Sequence, residues 1–210
     1  MSGDSVRLEV FSDYVCPFCW LAEPAVRALA QADPGVEITW RAFELRPEPV
    51  PTLDPAGGYL ERVWQHSVYP MAAQMGIPIQ LPPVQPRSRR AHEAAHWARA
   101  HGAFDAYSAA LFRAFFERGE DIGQVDVLAA LAAGLGLDAA SLRETLEAGT
   151  FEEAVLDDQR AATTMGVMGV PAFVADGRFA LSGVQPLGEL QALVARARAS
   201  NRERYQALAG

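Results

Sequence analysis

Val6–Phe11 is apolar except at Arg7 and Glu9 and is rich in β-branched and aromatic side chains, which predicts a strand. Pro17–Gln31 follows with Leu21, Ala25, Ala28 and Leu29 fitting a helical face, and Asp33-Pro34-Gly35 stops it. Val36–Leu45 (VEITWRAFEL) predicts a second strand. Arg46–Gly58 is rich in proline and ends in Gly57-Gly58, which predicts a loop and a domain boundary. From 59 to 160 the pattern is helical, over Tyr59–Ala73, Arg89–His101, Asp105–Arg118, Val125–Leu135, Ala139–Ala148 and Phe151–Met165. Ile77–Pro86 is a proline-rich connection within it, and Ser141-x-x-Glu144 has capping-box spacing. Gly166–Pro171 is a sharp interruption. Ala172–Ala175 and Phe179–Ser182 flank Asp176-Gly177, a hairpin signal, and Leu187–Ala199 predicts the last clear helix.

This order is that of an α/β domain interrupted by a helical insertion. A right-handed crossover sets the first two strands parallel, and the late hairpin completes a small mixed sheet. The expected division gives 1–55 and 160–210 to the α/β domain and 56–159 to the insertion. The 210 residues, half of them apolar and 21% charged, suffice for a core without staples. A net charge of −8 speaks against nucleic acid or an anionic membrane as partner. Apolar stretches such as Val127–Leu137 are too short to span a membrane and contain glycine. Met1–Ser5 has no basic region leading into an apolar one, so no signal peptide is expected and the chain reads as cytoplasmic.

The chain's two cysteines lie together in Cys16-Pro17-Phe18-Cys19, between the first strand and the first helix. Cys16 falls at the helix N-terminus, where unpaired N–H groups and the macrodipole favour the anionic form of a thiol. Residues three apart on a helix have Cβ atoms about 5–6 Å apart, so Cys19 is within reach of a disulfide after a modest adjustment. Pro17 suits the first helical position, where its missing N–H has no partner to lose. Half of a zinc site and two inert core thiols are the competing readings; against the first, four ligands are usual and there is no second cysteine pair, and against the second, a helix-opening position before proline is a poor place to hide a thiol. In a cytoplasmic setting such a pair cycles between redox states.

LEVFSDYVCPFCW, FELRP and GVMGVPAFV resemble the DsbA-like thioredoxin-fold family, and with LFRAFFERGEDIG the chain is most similar to its FrnE-like branch of predicted dithiol–disulfide isomerases. The resemblance runs from about Val6 to Val194. It implies a thioredoxin-like fold with an inserted all-helical domain. Carried over, Cys16 is the exposed nucleophile and Cys19 the buried resolving thiol. Val170-Pro171 matches the family's cis-proline loop beside the disulfide, where the Val170 backbone pairs with an extended substrate. In related proteins an acid near Glu9 lies behind the second cysteine, which makes Glu9 a candidate to move the Cys19 proton; its alternative is a strand-end carboxylate in water. Phe18 departs from the branch, many members of which carry tryptophan there; between the cysteines it is expected to be exposed and to meet substrate, with Trp20 the second candidate for that surface.

The expected activity is thiol–disulfide oxidoreduction or isomerisation of protein or small-molecule disulfides and dithiols. Its only cofactor is the Cys16–Cys19 disulfide itself, and glutathione or a thioredoxin-type protein is the candidate reductant. Kappa-class glutathione transferases and hydroxychromene carboxylate isomerases share the architecture and supply the enzymatic alternative, with one serine or cysteine at the first position; Cys19 argues against it. A peptide-gripping chaperone is the alternative without turnover. His92-Glu93-Ala94-Ala95-His96 matches the zinc-protease signature but lacks a third ligand at a recognisable spacing, so no metal is expected. Arg87-Ser88-Arg89-Arg90 reads as a solvated helix start, with an anionic contact as its alternative. Trp20, Trp40, Trp64, Trp97, Phe112, Phe115 and Phe116 read as core and interdomain packing.

Overall fold

In the computed structural model, which describes residues 5–209, β1 (Val6–Ser12) leads into α1 (Pro17–Ala32) and returns as β2 (Val36–Ala42). The expectation about a leader rests on Met1–Ser5, and Met1–Asp4 lie outside the described residues. β1 and β2 are parallel in the register Val6↔Val36 to Ser12↔Ala42. β3 (Ala172–Ala175) lies antiparallel on the other side of β1, and β4 (Phe179–Ser182) is paired antiparallel with β3, giving the strand order β2-β1-β3-β4. The hairpin turns at Asp176 and Gly177, both with positive φ (49° and 65°), the conformation a tight turn of this hand requires. Asp176 tolerates it because its carboxylate accepts from the Arg7 N–H and from Asn201.

Side chains alternate across the sheet, and so do its two covers. Leu8 and Val10 face α1 and α9 (Leu187–Ala209), where Val26, Leu29, Phe173, Leu190 and Val194 complete the core. Phe11, Ala172 and Val174 face the other way, onto Ala162 of α8 (Glu152–Thr164). Fully burying a leucine such as Leu8 or Leu29 contributes about 1.5–3 kcal/mol.

Between β2 and α8 come α2 (Gly58–Val63), a π-helical turn (Trp64–Val68), α3 (Tyr69–Met75), α4 (Arg89–Ala100), α5 (Phe104–Phe116), α6 (Val125–Gly134) and α7 (Ala139–Glu147). The helix expected over Tyr59–Ala73 is therefore interrupted: the Tyr69 N–H bonds Trp64 O, five residues back. Pro70 has no N–H to offer the His66 carbonyl, and the wider turn accommodates that loss. α7 is capped by Asp138, whose carboxylate accepts from Ala140 and Ser141 N–H. The expected capping box at Ser141 is thus a misplacement, since Ser141 already lies inside the helix. The expected boundary at 159/160 falls inside α8, which packs on the sheet and on α4 alike. Among the described residues no helix is long and apolar enough to cross a membrane.

Candidate active site

After Ser12 the chain leaves the sheet through a turn in which Asp13 O accepts the Cys16 N–H at 3.1 Å. Cys16 thereby becomes the N-cap of α1, with extended backbone (φ −94°, ψ 113°), and Pro17 is the first helical residue. The helix brings Cys19 back over Cys16: its N–H bonds Cys16 O at 3.0 Å, and the two side chains lie within hydrogen-bonding reach. Both cysteines are free thiols here. From the far side, the loop before β3 presents Val170 O to the Cys16 thiol at 3.6 Å, and the Val170–Pro171 peptide is cis. Pro171 is buried and Val170 half-buried.

Burial distinguishes the thiols less than the resemblance implied. Cys16, the expected exposed nucleophile, is only 4% exposed because Val170 covers it, and Cys19 is 1% exposed. Burial pushes the Cys19 thiol well above its ordinary value, and the adjacent Cys16 adds to this; the Asp13 N–H, 3.4 Å from Cys19 Sγ, and the Ser12 side chain work in the opposite direction. Phe18, expected to be exposed, is half-buried, packed at the edge of the helical core. Trp20 is half-buried and stacks on Phe112 of α5 at 5.3 Å.

A strand, a Cys-x-x-Cys pair capping a helix, and a proline loop facing the first sulfur together specify a lineage. The DSBA-like thioredoxin domain matches residues 7–195. The chain belongs to that family. An uncharacterized protein of Bacillus subtilis, YwbO, is 36% identical over 174 residues, covering 81% of this chain and 86% of that protein. A probable DsbA oxidoreductase of Streptomyces coelicolor superposes with a TM-score of 0.78 at 26% identity, over 91% of this chain and 89% of that one. A 2-hydroxychromene-2-carboxylate isomerase has the same fold, with a TM-score of 0.75 at 21% identity over 94% and 98% of the two chains.

Within this DSBA-like site, Glu9 does not stand behind Cys19. It lies two residues before Phe11 and so on the α8 face of the sheet, opposite α1. There Arg41 donates to it through Nε (3.0 Å) and Nη2 (2.7 Å), and Arg41 also reaches Asp158 at 2.9 Å. The carboxylate beside the cysteines is Asp13, fully buried, which accepts from Leu45 N–H (2.7 Å) and Val15 N–H (3.4 Å) and meets His92 Nε2 at 3.3 Å. Neither Asp13 nor His92 was singled out for this role from sequence.

The His-Glu-x-x-His motif is divided by its surroundings. His92 turns to Asp13, while His96 turns to Asp158 of α8 at 3.1 Å. Burial, which would raise the Asp158 carboxyl, is outweighed by His96, the Ala42 N–H and Arg41, and the group is held below the ordinary carboxylate range. The basic run is a clamp rather than a solvated end: Arg87 bonds the Arg46 and Val50 carbonyls, and Arg89 pairs with the buried Glu44 and with Glu152. Trp64 and Trp97 are buried in the helical core and Trp40 is half-buried on β2.

Proposed function

We propose that this protein is a cytoplasmic thiol–disulfide oxidoreductase or isomerase in which Cys16 is the nucleophile and Cys19 resolves. The observation that carries the reading is the placement of Cys16 at the head of α1, between the reach of Cys19 and the carbonyl of Val170. The Cys16 thiolate attacks one sulfur of a substrate disulfide, the substrate S–S bond breaks, and its electron pair leaves on the other sulfur. Cys19 then attacks Cys16 Sγ, so the pair is oxidised by two electrons and the substrate is released reduced. Isomerisation needs only the first step and a return attack by a substrate thiol. Proteins or small molecules with disulfides are the substrates, with glutathione or a thioredoxin-type protein restoring the dithiol. Val170, Pro171 and Phe18 form the substrate-facing rim, Pro17 shapes the helix start, and the redox disulfide serves in place of any added cofactor.

The structural likeness to a hydroxychromene carboxylate isomerase keeps a glutathione-dependent isomerase as the second reading. Retention of Cys19 favours disulfide exchange, because the glutathione-dependent route needs only one serine or cysteine, at the first position, and has no use for a second thiol. Insulin reduction tests this directly. Loss of activity in both Cys16→Ser and Cys19→Ser is the expected result. Loss in Cys16→Ser alone would move the protein to the monothiol reading, and suppression of aggregation surviving both changes would make it a holdase.

A further inference from the structure

The basic run at the head of α4 spends two of its three arginines on the fold and leaves the third. Arg87 holds the Arg46 and Val50 carbonyls, and Arg89 holds Glu44 and Glu152. Arg90 is exposed and has no hydrogen-bond or ion-pair partner among the described residues. One turn on, Glu93 is only 6% exposed and has no such partner either. A carboxylate so far out of water is costly unless something pairs with it. Burial pushes the Glu93 carboxyl above its ordinary range; Glu152 adds to this, while Arg89 and Arg90 oppose it without reaching contact.

Both unspent groups line one cavity of about 610 Å³, walled by the head of α4, the loop before α6, the end of α7 and the start of α8. Small-molecule sites usually measure about 300–1,000 Å³. Neither cysteine nor Val170 lines this one, so it is separate from the redox site. Residues three apart on a helix carry Cβ atoms about 5–6 Å apart, so Arg90 and Glu93 present a cation and an anion side by side. On the α7 wall, Glu147 has no ion pair among the described residues, and the helix ends there, where its last carbonyls leave partial negative charge. Asp121, by contrast, is committed to its own turn, accepting from the Gly123 N–H and from Gln124. Among the described residues no three His, Cys, Asp or Glu side chains are grouped to hold a metal ion, which points to an organic cation.

We propose that this cavity binds a free α-amino acid with a cationic side chain. The α-carboxylate lies on the Arg90 guanidinium, whose planar fork suits two parallel hydrogen bonds. The α-ammonium lies on Glu93 and supplies the partner that the buried carboxylate lacks. The side-chain cation extends to Glu147 and the end of α7. No bond is made or broken, and the thiols take no part.

Isothermal titration calorimetry of the full chain with L-lysine and its truncated relatives tests each contact. L-Lysine is expected to bind once per chain. Cadaverine lacks the carboxylate, ε-aminocaproate the α-ammonium and norleucine the side-chain ammonium. Each is expected to bind at least about tenfold more weakly, the worth of one charge-assisted hydrogen bond. Glu93→Gln and Arg90→Gln are each expected to weaken lysine binding by a similar factor. Arg90→Gln is expected not to weaken cadaverine, which has no carboxylate for the guanidinium to hold. Arg90 is exposed, so its variant carries the test should Glu93→Gln not fold. Cadaverine bound as tightly as lysine would reduce the effect to attraction between a dication and a chain of net charge −8, and would overturn the site. So would a wild-type protein that takes up no lysine, or an Arg90→Gln protein that binds it as the wild type does.

Discussion

Two carboxylates near the same strand end have different employments, and their partners decide which. Glu9 spends its charge on Arg41, while Asp13 spends its own on two backbone N–H groups and His92. Glu9→Gln is therefore expected to lower stability by about 1 kcal/mol, the worth of a charged hydrogen bond at a partly exposed site, in urea denaturation. Insulin-reduction rates should keep their pH profile; a profile shifted in this variant would return Glu9 to the site. The cysteine pair was legible because its spacing and its place before Pro17 are local signals. Asp13 and His92 were not, because their contact joins positions 79 residues apart and no local pattern marks it. The partners of the HEAAH run were hidden for the same reason: its histidines share a helix but find separate carboxylates on different elements.

At the scale of elements, α8 is tied to the sheet by one carboxylate. Asp158 accepts from Arg41, from the Ala42 N–H at 2.9 Å and from His96, almost out of water. Because its folded value lies below its unfolded one, the stabilisation is fully present above the ordinary aspartate value of about 3.9 and is lost as pH falls through the lower folded value. Asp158→Asn is expected to cost about 3 kcal/mol at neutral pH, as breaking a buried pair does, and to flatten the acid limb of the stability curve below about pH 4. Thermal melts of both proteins from pH 3 to 7 check this, and parallel acid limbs would contradict it. The strands and most helices were readable from apolar patterning, whereas their ends answered to tertiary partners. β2 stops at Ala42 rather than Leu45 because the Leu45 N–H is taken by Asp13 instead of the ladder. The final helix outruns its expected end at Ala199 to reach Ala209.

For the whole molecule, the question is whether the helical segment is a domain of its own. Its core is not separate: Tyr14, Cys16, Cys19 and Leu21 of the α/β part share one apolar cluster with Trp64, Trp97, Phe112, Phe115 and Phe116 of the helices. α8 straddles the expected boundary and gives Asp158 and Ala162 to the sheet. Residue order reveals an insertion but not how much apolar surface it shares with its host, since that depends on which faces meet. A shared core couples the two parts, because exposing either strips apolar surface from the other and leaves a cavity as costly as a large-to-small core substitution. Urea unfolding of the reduced protein is therefore expected to be a single transition. Tryptophan fluorescence, reporting mainly on the helical core and α1, and far-ultraviolet dichroism, reporting on all the helices, should give coincident curves. Phe112→Ala, although it lies in the insertion, should shift both curves together by the roughly 3–5 kcal/mol of a buried phenylalanine. It should also loosen the contact with Trp20 one residue beyond Cys19, and so slow the disulfide exchange of a site whose sulfurs it does not touch. Two separated transitions, or a Phe112→Ala protein in which only one probe shifts, would mean that the helices fold and melt as an independent unit.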